Sequence, residues 1–279
     1  MIRPGYILQA IRPPIQILYF TAFLAAFLLM AVANHSPIFS PTLALAIISF
    51  FLVQSSGAYL LNAFSDTKID SVNKPERASA KGLITEHELL TLSYLSFIIG
   101  IALASTINPA FLAIQVATAI IGTMYSLKPI HLKSRGILCT LTVVYCHLAA
   151  LLSGAMVSGQ PIPKDLTLII GIQALISFFV AFNKDIPDIK GDEKYGARTL
   201  AVELGEKNST RLLYLLPLIP LLYLFTNQWW IAPLLFLGFI YAVSKLREKE
   251  YLKAFQIGVY LTIIQNIALI AFAISQLIY

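Results

Sequence analysis

The sequence predicts an all-α, polytopic membrane protein, a bundle of about nine transmembrane helices, and three observations carry that prediction. Of the 279 residues, 58% are hydrophobic and only 12% are charged, where a soluble domain has about 25% charged residues. Apolar stretches of 18 or more residues recur, long enough for a helix to cross the hydrocarbon core. The breaks between them alternate, one set short and nearly uncharged, the other long and charged. A water-soluble globule of this composition would have too little polar surface to face water.

The first twenty residues, "MIRPGYILQAIRPPIQILYF", read as a short amphipathic lead-in to the first span. Prolines interrupt them and no small-residue cleavage site follows a short apolar core, so a cleavable signal is not expected. The predicted helices cover about 15–34, 42–65, 88–107, 110–127, 137–158, 166–184, 211–225, 229–244 and 254–278. The breaks "NHSPIFSP", "INPA", "GQPIPKD" and "TNQWW" carry turn chemistry and almost no charge. The whole chain, 1–279, reads as one intramembrane domain.

Charge supports this division. With the N-terminus and the loops after even-numbered helices on one side, nineteen of the twenty Lys and Arg residues fall there, Lys164 being the exception. Thirteen of the fourteen acids join them, all but Asp165. The Lys/Arg bias assigns the charged side to the cytoplasm. The net charge of +6 therefore needs no nucleic-acid partner, since the bases sit in membrane loops with acids among them. Cys139 and Cys146, in one apolar segment, suggest packing residues rather than a disulfide or zinc pattern. The four histidines are scattered and suggest no metal site.

Two charged stretches stand out. The first, "NAFSDTKID", places Asn62, Asp66 and Asp70 at i, i+4, i+8, one face if the second helix continues past the membrane boundary. The second, "NKDIPDIKGDEKYGARTL", spaces Asp185, Asp188 and Asp192 at i, i+3, i+7, although Pro187 argues against an unbroken helix there. Each stretch follows an even-numbered helix, contains Asp-x-x-x-Asp, and meets an arginine six or seven residues later, Arg77 or Arg198. The layout suggests two related halves of four helices with a ninth appended. Carboxylates suit Mg²⁺, which commonly bridges to phosphate oxygens, and interleaved bases suit the phosphate charge. Acids and bases together therefore point to a metal–diphosphate site.

These residues resemble the UbiA-type intramembrane prenyltransferase superfamily, which carries Asn-Asp-x-x-Asp-x-x-x-Asp after its second helix and Asp-x-x-x-Asp after its sixth. Asn62, Asp66 and Asp70 match, while Ala63 replaces the usual second-position aspartate. "NKPERASAKGLIT" is similar to the family's Asn-Lys-Pro-x-Arg-Pro stretch, with Ala78 in place of the second proline. "KDIPDIKGDEKYGARTLAVELG" and "YSLKPIHLKSRG" resemble stretches of homogentisate-type and related lipid-quinone members.

The resemblance implies Mg²⁺-dependent transfer of a prenyl group from an allylic polyprenyl diphosphate to an aromatic or lipid acceptor. It implies that Asn62, Asp66 and Asp70 hold one ion and that Asp188 and Asp192, helped by Asp185, hold the other. Lys68, Arg77, Lys128, Lys133, Lys184 and Arg198 become diphosphate candidates, and Tyr125 the aromatic face toward the allylic cation. The apolar tail would enter laterally from membrane lipid. Two other readings stay open: a membrane terpene cyclase using the same ionisation, and a cation-coupled transporter. The transporter would place its ionisable groups near the bilayer midplane, whereas these acids lie at one face.

Overall fold

The computed structural model describes residues 4–194 and 198–278. It is helical nearly throughout. The helices are α1 (Pro4–Ile11), α2 (Pro13–Asn34), α3 (Pro41–Phe50), α4 (Ala58–Asn73), α5 (Glu86–Ser105), α6 (Pro109–Ser126), α7 (Ile137–Met156), α8 (Lys164–Asn183), α9 (Ile189–Lys194), α10 (Leu200–Leu213), α11 (Ile231–Arg247) and α12 (Tyr251–Ile278). A π-helical stretch, Phe51–Gly57, joins α3 to α4, and a 3₁₀ stretch, Leu216–Phe225, follows α10.

Among the described residues, seven helices are long and apolar enough to cross a membrane: α2, Pro41–Lys68, α5, α6, α7, α8 and α12. The α10 helix and the 3₁₀ stretch after it, bent by 49°, make an eighth if they form one span. The segment expected at 211–225 is thus not a straight helix. Pro217 and Pro220 fall inside it and lack the N–H donors an α-helix needs, so the backbone takes the tighter turn. The segment expected at 229–244 is α11, 17 residues long, at the lower end of the spanning range.

The helix starts follow from local chemistry. Ser40 caps α3, its side chain accepting from the Leu43 N–H at 3.1 Å. Thr85 and Glu88 form a reciprocal capping box at α5. Asn108 caps α6 and also donates to the Met156 carbonyl at 2.8 Å.

The chain divides into two compact units. The first comprises residues up to Phe20, Pro37–His131 and Met156–Gln160; the second comprises Thr21–Ser36, Leu132–Ala155 and the chain from Pro161 onward. In the first unit Leu60, Ala63, Ala78, Ile84 and Leu89 form a buried cluster, against which Tyr6, Ile7, Ala10 and Ile11 of α1 pack. Serine hydroxyls tie α5 to the helix formed by α3, the π-helical stretch and α4. Ser93 Oγ donates to the Gly57 carbonyl, and Ser49 Oγ of α3 donates to the Gly100 carbonyl, each at 2.7 Å. Such side-chain hydrogen bonds hold apolar helices together. Gly100 permits this approach, since a Cβ there would lie 2.6 Å from Val53 Cγ2.

The second unit is tied by buried polar bridges between apolar helices. His147 Nε2 lies 2.9 Å from Gln173 Oε1, linking α7 to α8. Gln265 Nε2 of α12 donates to the Tyr223 hydroxyl at 2.6 Å. Cys139 and Cys146 are not joined in a disulfide.

Candidate active site

Helix α4 runs unbroken to Asn73, so Asn62, Asp66 and Asp70 do share one face on successive turns. Like charges at that spacing repel, and arginines compensate them. Asp70, buried, pairs with Arg77 Nη1 at 2.6 Å. Asp66 lies 3.7 Å from the Arg12 guanidinium. The turns after α4 hold Arg77: its N–H donates to the Lys74 carbonyl at 3.1 Å, and the next N–H, of Ala78, donates to Gln9 Oε1 at 2.9 Å. A cavity of about 20 Å³ opens among Gln9, Arg12, Asp70 and Arg77, about the room one water needs. Asn62 Oδ1 is buried without a hydrogen-bond partner. Lys68 is exposed on the same helix. Tyr125, half-buried near the end of α6, and Lys128, exposed just beyond it, complete this unit's candidates.

In the second unit the three acids do not lie along one continuous helix. Helix α8 ends at Asn183, turns carry Asp185 and Asp188, and only Asp192 sits in regular helix, the short α9. Pro187 accounts for the break. The turns keep the acids close in the chain all the same, the Asp188 N–H donating to the Asp185 carbonyl at 3.2 Å and the Asp192 N–H to the Asp188 carbonyl at 2.8 Å. Lys184 Nζ lies 3.2 Å from Asp185 Oδ1. Asp185 Oδ2 and Asn183 Oδ1 are buried and have no hydrogen-bond partner.

Partial burial, together with the like charges of Asp185 and Asp188, pushes the Asp192 carboxyl up to about 6. A hydrogen bond from Thr199 Oγ1 at 3.3 Å and the Lys184 charge pull the other way.

Thr199 belongs to a two-residue parallel ladder. Strand β1 (Arg135–Gly136) pairs with β2 (Arg198–Thr199), Arg135 opposite Arg198 and Gly136 opposite Thr199. Gly136 adopts φ +49, and a Cβ there would lie 2.7 Å from Glu203 Oε1. The ladder thus brings the turn that carries Lys133, half-buried, beside exposed Arg198.

The sequence expectations missed two arginines. Arg12 was hidden in a Pro-rich lead-in, though a lone charge before an apolar span is a signal in itself. Arg135 gains its place only through strand pairing across more than sixty residues, which no local pattern reveals.

Among the described residues no three or more His, Cys, Asp or Glu side chains gather in metal-ligating geometry. The donor set fits Mg²⁺ nonetheless. Asn62, Asp66 and Asp70, like Asp185, Asp188 and Asp192, offer only oxygen, as a hard cation prefers. Asn62 Oδ1 and Asp185 Oδ2 are buried acceptors without partners, each costing about 1–3 kcal/mol. A cation or its bound water would satisfy them and relieve the crowding around Asp192.

The UbiA prenyltransferase family model matches residues 18–256. The chain belongs to the UbiA prenyltransferase family. As a UbiA enzyme it is a multi-pass membrane prenyltransferase that transfers prenyl groups from a polyprenyl diphosphate. Among its relatives, the digeranylgeranylglyceryl phosphate synthase of Methanosarcina mazei is 30% identical over 231 residues, 78% of each chain. That of Saccharolobus solfataricus is 31% identical over 234 residues, 80% of this chain and 81% of the relative. These relatives are named as synthases of digeranylgeranylglyceryl phosphate, whereas the sequence motifs resemble those of homogentisate and lipid-quinone members. The fold matches a UbiA homolog from Archaeoglobus fulgidus with a TM-score of 0.74 at 17% identity, covering 98% of this chain and 100% of that one. It matches the same homolog bound to GPP and Mg²⁺ with a TM-score of 0.71 at 19% identity, covering 95% and 99%.

Proposed function

We propose that this UbiA enzyme transfers a prenyl group, with Mg²⁺, from an allylic polyprenyl diphosphate to a lipid acceptor carrying a glyceryl phosphate head, at the cytoplasmic face of the membrane. The observation that carries the metal reading is the all-oxygen donor set with buried, unpartnered Asn62 Oδ1 and Asp185 Oδ2. The A. fulgidus homolog bound to GPP and Mg²⁺ supports it. The names of the relatives support the acceptor class, and the side assignment rests on the Lys/Arg bias.

In this reading Asn62, Asp66 and Asp70 hold one Mg²⁺, and Asp185, Asp188 and Asp192 hold another. When bound, Mg²⁺ neutralises charge on the leaving diphosphate. Arg77, oriented by its ion pair with Asp70, and Lys68, Lys128, Lys133, Lys184 and Arg198 take the remaining phosphate charge. The allylic C–O bond breaks with its electron pair on the diphosphate oxygen. A hydroxyl oxygen of the acceptor bonds to the allylic carbon and releases its proton to the departing diphosphate. The Tyr125 ring offers a π face to the developing cation, and apolar helix walls keep out the water that would quench it.

The test is purified protein with Mg²⁺ and geranylgeranyl diphosphate, offered either a monoprenylated glyceryl phosphate or homogentisate. Ether-lipid product from the first acceptor alone is expected. Product from homogentisate alone would overturn the acceptor class, and hydrocarbon formed without any acceptor would favour the cyclase. Asp66→Asn and Asp188→Asn are each expected to cut turnover by about 100-fold or more while remaining extractable as folded protein. Full activity in either variant removes that residue from the metal set.

A further inference from the structure

Outside both carboxylate sets, the turn between α11 and α12 opens a groove of about 540 Å³. We propose that this groove docks the phosphate-bearing head of a membrane lipid, and that the acceptor is gathered there before it reaches the carboxylates. The acceptor part rests on the reading of function given above. The groove as a lipid-head site does not.

Four observations lead there. First, its size and chemistry suit a glyceryl phosphate head. Small-molecule sites measure about 300–1,000 Å³. This one is lined by Lys249, Lys253, Tyr251, Gln256 and Leu252 among others. The lysines offer charge to a phosphate, Gln256 offers a hydrogen-bonding amide, and exposed Leu252 offers an apolar contact to the chain below the head.

Second, the groove lies where lipid phosphates lie. Tyr251 begins α12, an apolar span of 28 residues, so the groove sits at the charged end of a membrane helix. Basic pockets at that level take anionic lipid heads. Pro187, between Asp185 and Asp188 in the chain, forms part of the wall. The groove therefore borders the loop that carries the second carboxylate set.

Third, its lysines are weakly held. Lys245 is seated on Glu248 at 2.6 Å and only 14% exposed. Lys249 is 77% exposed and 4.0 Å from Glu206 Oε1, an oxygen that already accepts from the Tyr251 hydroxyl at 2.6 Å. Lys253 meets Glu250 at 3.1 Å, with both side chains exposed, and exposed pairs of this kind are weak. Lys245, Arg247, Lys249 and Lys253 outnumber Glu248 and Glu250, so the turn keeps net positive charge.

Fourth, the backbone places Lys249 at a cost. The Glu250 N–H donates to the Lys245 carbonyl at 2.9 Å, and Lys249 adopts φ +59. Helices that end this way usually carry glycine at that position, because other residues seldom adopt positive φ. Here a lysine stands there and lines the groove. Strain of this kind concentrates where a side chain is needed in place.

The experiment uses full-length wild type, Lys249→Gly and the double variant Lys249→Gly/Lys253→Gln in phosphatidylcholine nanodiscs. Geranylgeranyl diphosphate is the donor and a monoprenylated glyceryl phosphate the acceptor. Glycine relaxes the turn, so Lys249→Gly is expected to keep or raise its unfolding temperature. The double variant is expected to raise the acceptor KM by about tenfold or more, the loss of charge-assisted hydrogen bonds, with kcat and the donor KM unchanged. An unchanged acceptor KM overturns the proposal. A matching rise in the donor KM also overturns it, since the lysines would then serve the diphosphate. The second readout needs no acceptor. Exchanging part of the phosphatidylcholine for phosphatidylglycerol is expected to raise the unfolding temperature of wild type and to do much less for the double variant. No shift in wild type, or equal shifts in both, overturns the groove as a lipid site. Protection by soluble glycerol 1-phosphate as strong as that by phosphatidylglycerol overturns the lipid source in favour of a free phosphate. If wild type makes no glyceryl ether product, the acceptor reading fails, while the phosphatidylglycerol shift still decides the groove.

Discussion

Replacing Arg77 with methionine strands a buried carboxylate, and the structure sets the size of the effect. Asp70 is only 5% exposed, and its Oδ2 accepts from Arg77 Nη1 at 2.6 Å. A hydrogen bond to a charged group contributes about 1.5–3 kcal/mol. Removing one partner of a fully buried pair costs about 3–5 kcal/mol. Arg77 keeps 22% side-chain exposure, so water reaches the gap and the cost falls to about 2–3 kcal/mol. Asp70→Asn combined with Arg77→Met leaves no buried charge and is expected to recover most of the loss. Unfolding in mild detergent measures both variants, and the double-mutant cycle gives the coupling. Added Mg²⁺ is expected to rescue Arg77→Met selectively, because the stranded carboxylate then regains a counter-charge. Two results would refute the reasoning: Arg77→Met as stable as wild type, or a double variant whose losses simply add.

Two further predictions follow from the same geometry. The Asp192 carboxyl is held up at about 6 against an ordinary 3.8, so the folded state binds its proton more tightly than the unfolded state. Without Mg²⁺, wild type should therefore gain stability relative to Asp192→Asn as pH falls from 7.5 through about 6 toward 5; parallel unfolding curves at the three pH values would contradict this. Gly100→Ala places a methyl 2.6 Å from Val53 Cγ2 and 3.2 Å from the Ser49 carbonyl. Overpacking of this kind costs about 1–3 kcal/mol, read as a lowered thermal midpoint.

The sequence showed more of the bundle than of the site. Apolar runs and the one-sided Lys/Arg pattern located the helical segments because lipid imposes length and composition directly. The pattern blurred at 211–225, where Pro217 and Pro220 replace α by 3₁₀ geometry without changing hydropathy. Asn62, Asp66 and Asp70 were legible because helical spacing is local, and α4 does extend far enough to align them. Asp185 and Asp188 were legible as residues but not as a face, since Pro187 turns the chain. The pairings of Arg12 and Arg135 were hidden for a different reason. Arg12 meets Asp66 across 54 positions, and Arg135 meets Arg198 across 63; such pairings depend on tertiary folding, which periodicity does not encode.

The wide turns at Phe51–Gly57 have one more effect. There the Ala58 N–H bonds back to the Val53 carbonyl, five residues away, rather than four. Each such turn absorbs an extra residue with little added length, so the stretch acts as a phase adjuster midway along the span. An α-helix rotates by about 100° per residue. Deleting a single position from Phe51–Gly57 would swing the Asn62, Asp66 and Asp70 edge about a quarter-turn around the rod while the rod still fitted the bilayer. The span's length answers to the lipid, and its angular setting answers to chemistry; in this helix the two are tuned separately.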